Sequence, residues 1–351
     1  MCGGLQYLSM FVTGVAYVIT TATCMRAIQK SNCYHREGSG ASCAYGNTFY
    51  MLVFGSSQIF FSQIPAFHKM EWLSTLATIM SFFYASIGIG LGAAKVAANG
   101  WIKGSISGVP THTSPQKVWT VFQALGDIAF AYPYSLILIE IQDTLKSTPP
   151  ESKTMKRASM FAILITTFFY LLCGGFGYAA FGDLTPGNLL TGFGFYEPYW
   201  LVDFANACVV VHLIGGYQVY SQPIFAFVEK FFAEKFPKSG FINNAYPIRV
   251  PLVPEFGITL FRICFRTVYV LATMGMALLF PYFNQILALL GALNFWPLAI
   301  YFPVEMYIVQ KKIDRWTRRW VFLKGFSLAC LFVSVVALVG CIEGLVTAKL
   351  G

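Results

Sequence analysis

Apolar residues run through this chain in blocks separated by short polar and charged segments. Nine blocks are long enough to read as membrane spans: 5 to 28, 48 to 65, 72 to 97, 118 to 142, 158 to 181, 200 to 227, 258 to 280, 283 to 308 and 321 to 347. Roughly twenty apolar residues in a helix match the thickness of a bilayer's hydrocarbon core. The fourth block breaks the pattern at its centre, where Gly126 and Asp127 are followed by Ala129, Phe130, Ala131, Tyr132 and then Pro133. Proline lacks an amide donor and clashes with the preceding turn, so a helix break is expected near 129 to 133. Backbone freed at membrane depth survives only where protein buries it or it lines a cavity, which makes this break a candidate binding site. Asn294, Pro297, Pro303 and Glu305 in the eighth block predict a second bent helix.

The composition agrees with a polytopic membrane protein: 56% of the 351 residues are hydrophobic, 11% are charged, and mean hydropathy is +0.62. The net charge of +9 would suit nucleic acid, but the basic residues sit between apolar blocks, where the positive-inside rule accounts for them. Placing the N-terminus in the cytoplasm puts 17 of the 24 Lys and Arg on the inner side, the run KKIDRWTRRW among them, and 7 on the outer. The C-terminus is then outside. The apolar run from Leu5 is too long, and lacks the basic start, for a signal peptide, so it reads as a first span. The chain is expected to form one transmembrane domain over 1–351, with 228 to 257 as a linker between bundles.

Ionisable groups within spans are the first candidates for chemistry. Asp127, beside the break, suits proton coupling or, equally, capping of a half-helix. His212 suits a proton relay or a neutral ring bonded to a carbonyl. In the sixth block Asp203, Asn206, Val210, Tyr217 and Ser221 form a polar stripe at helical spacing, and in the first Ser9, Thr13, Tyr17, Thr20 and Cys24 form a small polar face. The expected outer loop 26 to 47 holds Cys33 and Cys43, either a disulfide or two free thiols. Gly88, Gly92, Gly174, Gly175 and Gly177 read as helix-packing positions.

Other chemistries find no support. The nine cysteines include no CxxC pair, so no metal centre or dithiol site is indicated, and no cofactor motif is present. There is no GxxxxGK[ST] for nucleotide phosphates, no HExxH and no GxSxG. Asp127 and Asp183 lie in ALGD and AFGD rather than the GxGD of intramembrane aspartyl proteases, so the chain is not expected to be an enzyme.

Four stretches carry a resemblance: FQALGDIAFAYPYSLILIEIQDTL, GYAAFGDLTPGNLLTGFGFYEPYWLVDFAN, HLIGGYQVYSQPIFAFVE, and FWPLAIYFPVEMYI followed by RW. Spread over nearly the whole chain, they resemble the plant amino acid permease family. The resemblance implies an all-α polytopic inverted-repeat bundle, and a proton-coupled amino acid symporter of the plasma membrane with neutral amino acids as substrates and acidic or basic ones as further candidates. Family members carry two further helices ahead of a segment similar to this chain's first block, so about nine of the family's helices are expected and an N-terminally truncated product is implied. Asn294 and Ala16 stand where the family favours glycine.

The implied substrate site surrounds Ala129, Phe130, Ala131, Tyr132 and Ser135, with Tyr17, Thr20 and Asn206 contributing and Asp127 ahead of His212 for the proton. The implied partners are an amino acid, protons and membrane lipid. Rival expectations are a transport-inactive truncated isoform that associates with full-length permeases, or a symporter for another organic anion such as an auxin.

Overall fold

The computed structural model describes residues 2–38, 40–64, 71–107, 113–193, 198–250, 253–279 and 283–350. The described chain is helical: α1 (Cys2–Glu37), α2 (Thr48–Ser62), α3 (Glu71–Asn99), α4 (Ser114–Phe130), α5 (Leu138–Gln142), α6 (Glu151–Phe181), α7 (Leu189–Gly192), α8 (Tyr199–Lys235), α9 (Gly240–Asn243), α10 (Leu260–Leu279), α11 (Phe283–Asn294), α12 (Phe302–Gln310) and α13 (Arg318–Leu350). Seven helical stretches among the described residues are long and apolar enough to cross a membrane.

The two remaining blocks come out shorter than expected. The second is the 15-residue α2, which ends at Ser62 three positions before Pro65 in the sequence. The fourth is divided into α4, a 3₁₀ turn over Pro133–Leu136 and the 5-residue α5. Of the segment 66 to 71, which the nine-block topology places inside, residues 66 to 70 lie outside the described residues. Part of the expected linker is instead an antiparallel hairpin of β1 (Tyr246–Val250) and β2 (Val253–Ile258), with Tyr246 opposite Ile258. Its β-branched residues favour the pleated pairing that composition alone did not reveal.

The backbone divides into two compact units. The first comprises Met1–Ala16, Val109–Ile139 and Pro281–Gly351, and the second Tyr17–Gly108 and Glu140–Phe280.

In the first unit α4 packs against α11 and α13. Glycines permit the approach: a Cβ on Gly291 would collide with the Gly126 carbonyl, and one on Gly340 with Phe122. With little hydrophobic drive between helices in lipid, such close backbone contact supplies dispersion where bulkier residues could not. In the second unit α3 packs on α6 and α8, and α2 on α8 and α10. Gly92 faces Phe176, and Gly177 faces Leu189, whereas Gly174 and Gly175 face open space, so only some of the expected packing glycines pack. Phe161, Leu164, Phe168 and Leu171 project from one exposed face of α6, an apolar stripe suited to hydrocarbon.

Candidate functional site

The first unit holds the break. A reciprocal cap opens α4, the Thr113 amide donating to Gln116 Oε1 at 2.8 Å. Small residues then bring α4 against α11, and Pro133 stops it. Tyr132, the residue before proline, leaves helical geometry at φ −122°, ψ 57°, and the 3₁₀ turn begins at once. The Leu136 carbonyl at the end of that turn accepts from Gln6 Nε2 of α1 at 2.5 Å, so a side chain supplies what the interrupted helix does not.

Beside the break, α11 passes into a π-helical stretch over Phe295–Tyr301 and then α12. Pro297 and Pro303 accompany the change of winding, which falls where the eighth block was expected to bend. Asn294 at the junction accepts from Ser9 Oγ at 2.5 Å, and the Ser9 carbonyl accepts from Thr13 Oγ1 at 2.9 Å.

Between these elements lies a cavity of about 20 Å³. Ala129, Phe130, Tyr132 and Ser135 line it from the break, with Thr13, Gly291, Asn294 and Phe295 opposite. That is room for a water, not for an amino acid. Ala131 lies in the same interrupted segment. Asp127, one position past the tightly packed Gly126, is exposed and has no hydrogen-bond or ion-pair partner among the described residues.

The other predicted residues belong to the second unit. Tyr17 sits edge-on to Tyr220 of α8, ring centroids 5.8 Å apart, and against Gly216. Thr20 is half-buried on the same helix as Tyr17. Asn206 is fully buried, donates to the Val202 carbonyl at 2.9 Å, and keeps its Oδ1 unbonded. In the same stripe the Tyr217 hydroxyl meets Thr273 Oγ1 at 2.7 Å. His212 Nδ1–H donates to the Ala77 carbonyl of α3 at 2.8 Å, which fixes the ring edge-on to Tyr84.

Cys33 and Cys43 are joined, their Cα atoms 6.0 Å apart. Glu37 completes a cluster with them that would otherwise suit a metal ion, but sulfurs bonded to each other are not thiolate ligands.

Sequence reasoning missed Gln6 and the pairing of Ser9 with Asn294. An amide in an apolar helix is itself a signal for the first, while the second joins residues far apart in the chain, each noted separately as polar.

The family model described as transmembrane amino acid transporter protein matches residues 1–347. The chain belongs to that transmembrane amino acid transporter family. Among its relatives in Arabidopsis thaliana, probable amino acid permease 7 is 60% identical, with 100% of this chain and 76% of the relative covered. Amino acid permease 3 is 55% identical, with 98% and 73% covered, and lysine histidine transporter-like 1 is 30% identical, with 83% and 59% covered. This member of the family is a multi-pass membrane protein, and its relatives are permeases rather than enzymes.

Proposed function

We propose that this transporter imports amino acids across the plasma membrane together with protons, residues 1–351 serving as one transport domain. The observation that carries the proposal is the break after Phe130, where freed backbone, Tyr132 and Ser135 border a cavity within the first unit. Helix ends and unwound backbone can satisfy the charges of a zwitterion leaving water, a task that uninterrupted apolar helices cannot perform. The relatives' names as amino acid permeases support the substrate class. At about 20 Å³ the cavity is too small for an amino acid, so substrate entry requires its lining to move apart.

Asp127 is the proposed proton carrier. An unpaired carboxylate in a membrane helix can accept a proton without breaking a bond, and its change of charge biases one conformation over another. His212 is the second candidate, with Nδ1 held by a carbonyl and only Nε2 left for exchange. Tyr17, Thr20 and Asn206 are further proposed substrate contacts, to be tested by substitution.

The test is uptake into proteoliposomes of labelled neutral, acidic and basic amino acids, and of indole-3-acetate, with and without an imposed inward proton gradient. Gradient-dependent accumulation of amino acids is expected. Accumulation of indole-3-acetate alone would transfer the assignment to an organic-anion symporter, and uptake indifferent to the gradient would remove the proton.

A further inference from the structure

A second cavity lies within the second unit. It measures about 570 Å³, the size of small-molecule pockets. One face of α1 forms a wall: Thr23, Arg26, Lys30 and Tyr34 recur at spacings of three and four, so their side chains share a side of the helix. Ser31 of α1, Tyr45 in the segment that the Cys33–Cys43 bond holds against α1, and Thr191 of α7 complete the polar lining.

The chemistry of this lining is one-sided. It contains two cations and several hydroxyls, and no carboxylate. Neither Arg26 nor Lys30 has an ion-pair partner among the described residues, although Lys30 lies 5.6 Å from the centre of the Tyr34 ring. Two acids border the lining without pairing with either cation among the described residues: Asp203 accepts from Asn32 Nδ2 at 2.7 Å beside Ser31, and the Glu37 carboxylate lies within 4.8 Å of the Cys43 sulfur. Two unpaired like charges one helical turn apart repel each other, and an anion between them would relieve that repulsion.

We propose that this cavity is a binding site for a small carboxylate, separate from the site at the break. Arg26 supplies a planar pair of donors matched to a carboxylate, Lys30 a second positive charge, and the Tyr45 hydroxyl a further donor, whereas the Thr23 and Thr191 hydroxyls already donate to the Ile19 and Asn188 carbonyls. Given the amino acid substrate of the preceding section, the ligand would be the carboxylate end of a free amino acid, gathered before it reaches the membrane interior. The anion preference itself does not depend on that reading. Concentration of anions in a charged cleft raises association rates by about 10-fold or more and falls with salt.

Thiol chemistry tests this without relying on transport. In purified Thr191→Cys protein, with the labelled residue identified by mass spectrometry, an anionic methanethiosulfonate should react about tenfold faster than a cationic one at low salt. Acetate and glycine should slow the reaction and glycinamide, which has no carboxylate, should not. Arg26→Gln with Lys30→Gln should erase both the preference and the protection, and Lys30→Arg should keep them, which shows that the fold is intact. Protection by glycinamide equal to that by glycine, or a preference that survives the double substitution, would overturn the proposal. Labelling as expected in a protein that moves no amino acid would leave the anion site standing and remove the transport reading.

Discussion

Two prolines in this molecule meet different fates. Pro133 ends α4, whereas Pro223 lies inside α8, which continues as one helix from Tyr199 to Lys235. A proline within a helix removes one hydrogen bond and costs about 3 kcal/mol, so α8 must be held by something else. Around Pro223 the side chains tie the helix to its neighbours. Gln218 Nε2 donates to Gln58 Oε1 at 2.7 Å and Ser62 Oγ at 3.0 Å, and Gln222 Nε2 donates to Gln218 Oε1 at 3.2 Å and the Ile64 carbonyl at 3.3 Å. Arg266 adds ties to Glu229 Oε1 at 2.6 Å and the Ser62 carbonyl at 2.5 Å, with its guanidinium 4.8 Å from the Phe225 ring. Past Pro133 the described tie is the bond from Gln6 to Leu136. The bonded surroundings of Pro223 thus go with a continuous helix, and Pro133 with an interrupted one.

The largest effect expected from attacking this contrast falls on the tied region. Glu229 binds both Arg262 and the buried Arg266, so Glu229→Ala would leave a buried cation without its counter-charge. A loss of about 3–5 kcal/mol is expected, read as a much smaller folded fraction after solubilisation. Unchanged thermal stability would show that the network does not hold α8.

Next comes the packing behind the break. Gly291→Ala would drive a methyl into the Gly126 carbonyl, and destabilisation of about 1–3 kcal/mol is expected. Gly174→Ala, facing open space, should stay within about 0.5 kcal/mol. Equal thermal shifts for the two would mean that α4 and α11 do not depend on this close approach.

The smallest effect on the fold, and the sharpest on function, is expected of the prolines themselves. Pro133→Ala lets the helix extend through the break and should lower uptake by about tenfold or more, while Pro223→Ala should keep uptake within about twofold. Both variants should reach the membrane. A transport defect confined to Pro223→Ala would reverse the comparison.

The break was legible in the sequence because proline acts on its immediate neighbours, and Gly126, Ala129 and Ala131 mark the small-residue approach on the same stretch. The membrane-length helices were legible for a similar reason, since each apolar block declares itself over its own length. What escaped depends on pairing across the chain. His212 shows no sign of Ala77, 135 positions away, and Asn294 none of Ser9. The hairpin of β1 and β2 needed two short segments to find each other within a loop rich in proline. The cation-lined cavity appears only when α1, the disulfide-held segment and α7 come together.

Proton-driven uptake by carboxylate and histidine variants tests the central claim most directly. Asp127→Asn and His212→Asn proteins, reconstituted at equal density with the unaltered protein, are given labelled amino acid and an inward proton gradient. The account predicts that Asp127→Asn loses gradient-driven accumulation, because the amide cannot take up the proton that the unpaired carboxylate would carry, while His212→Asn keeps a substantial part of it. Normal accumulation by Asp127→Asn beside an inactive His212→Asn would contradict it.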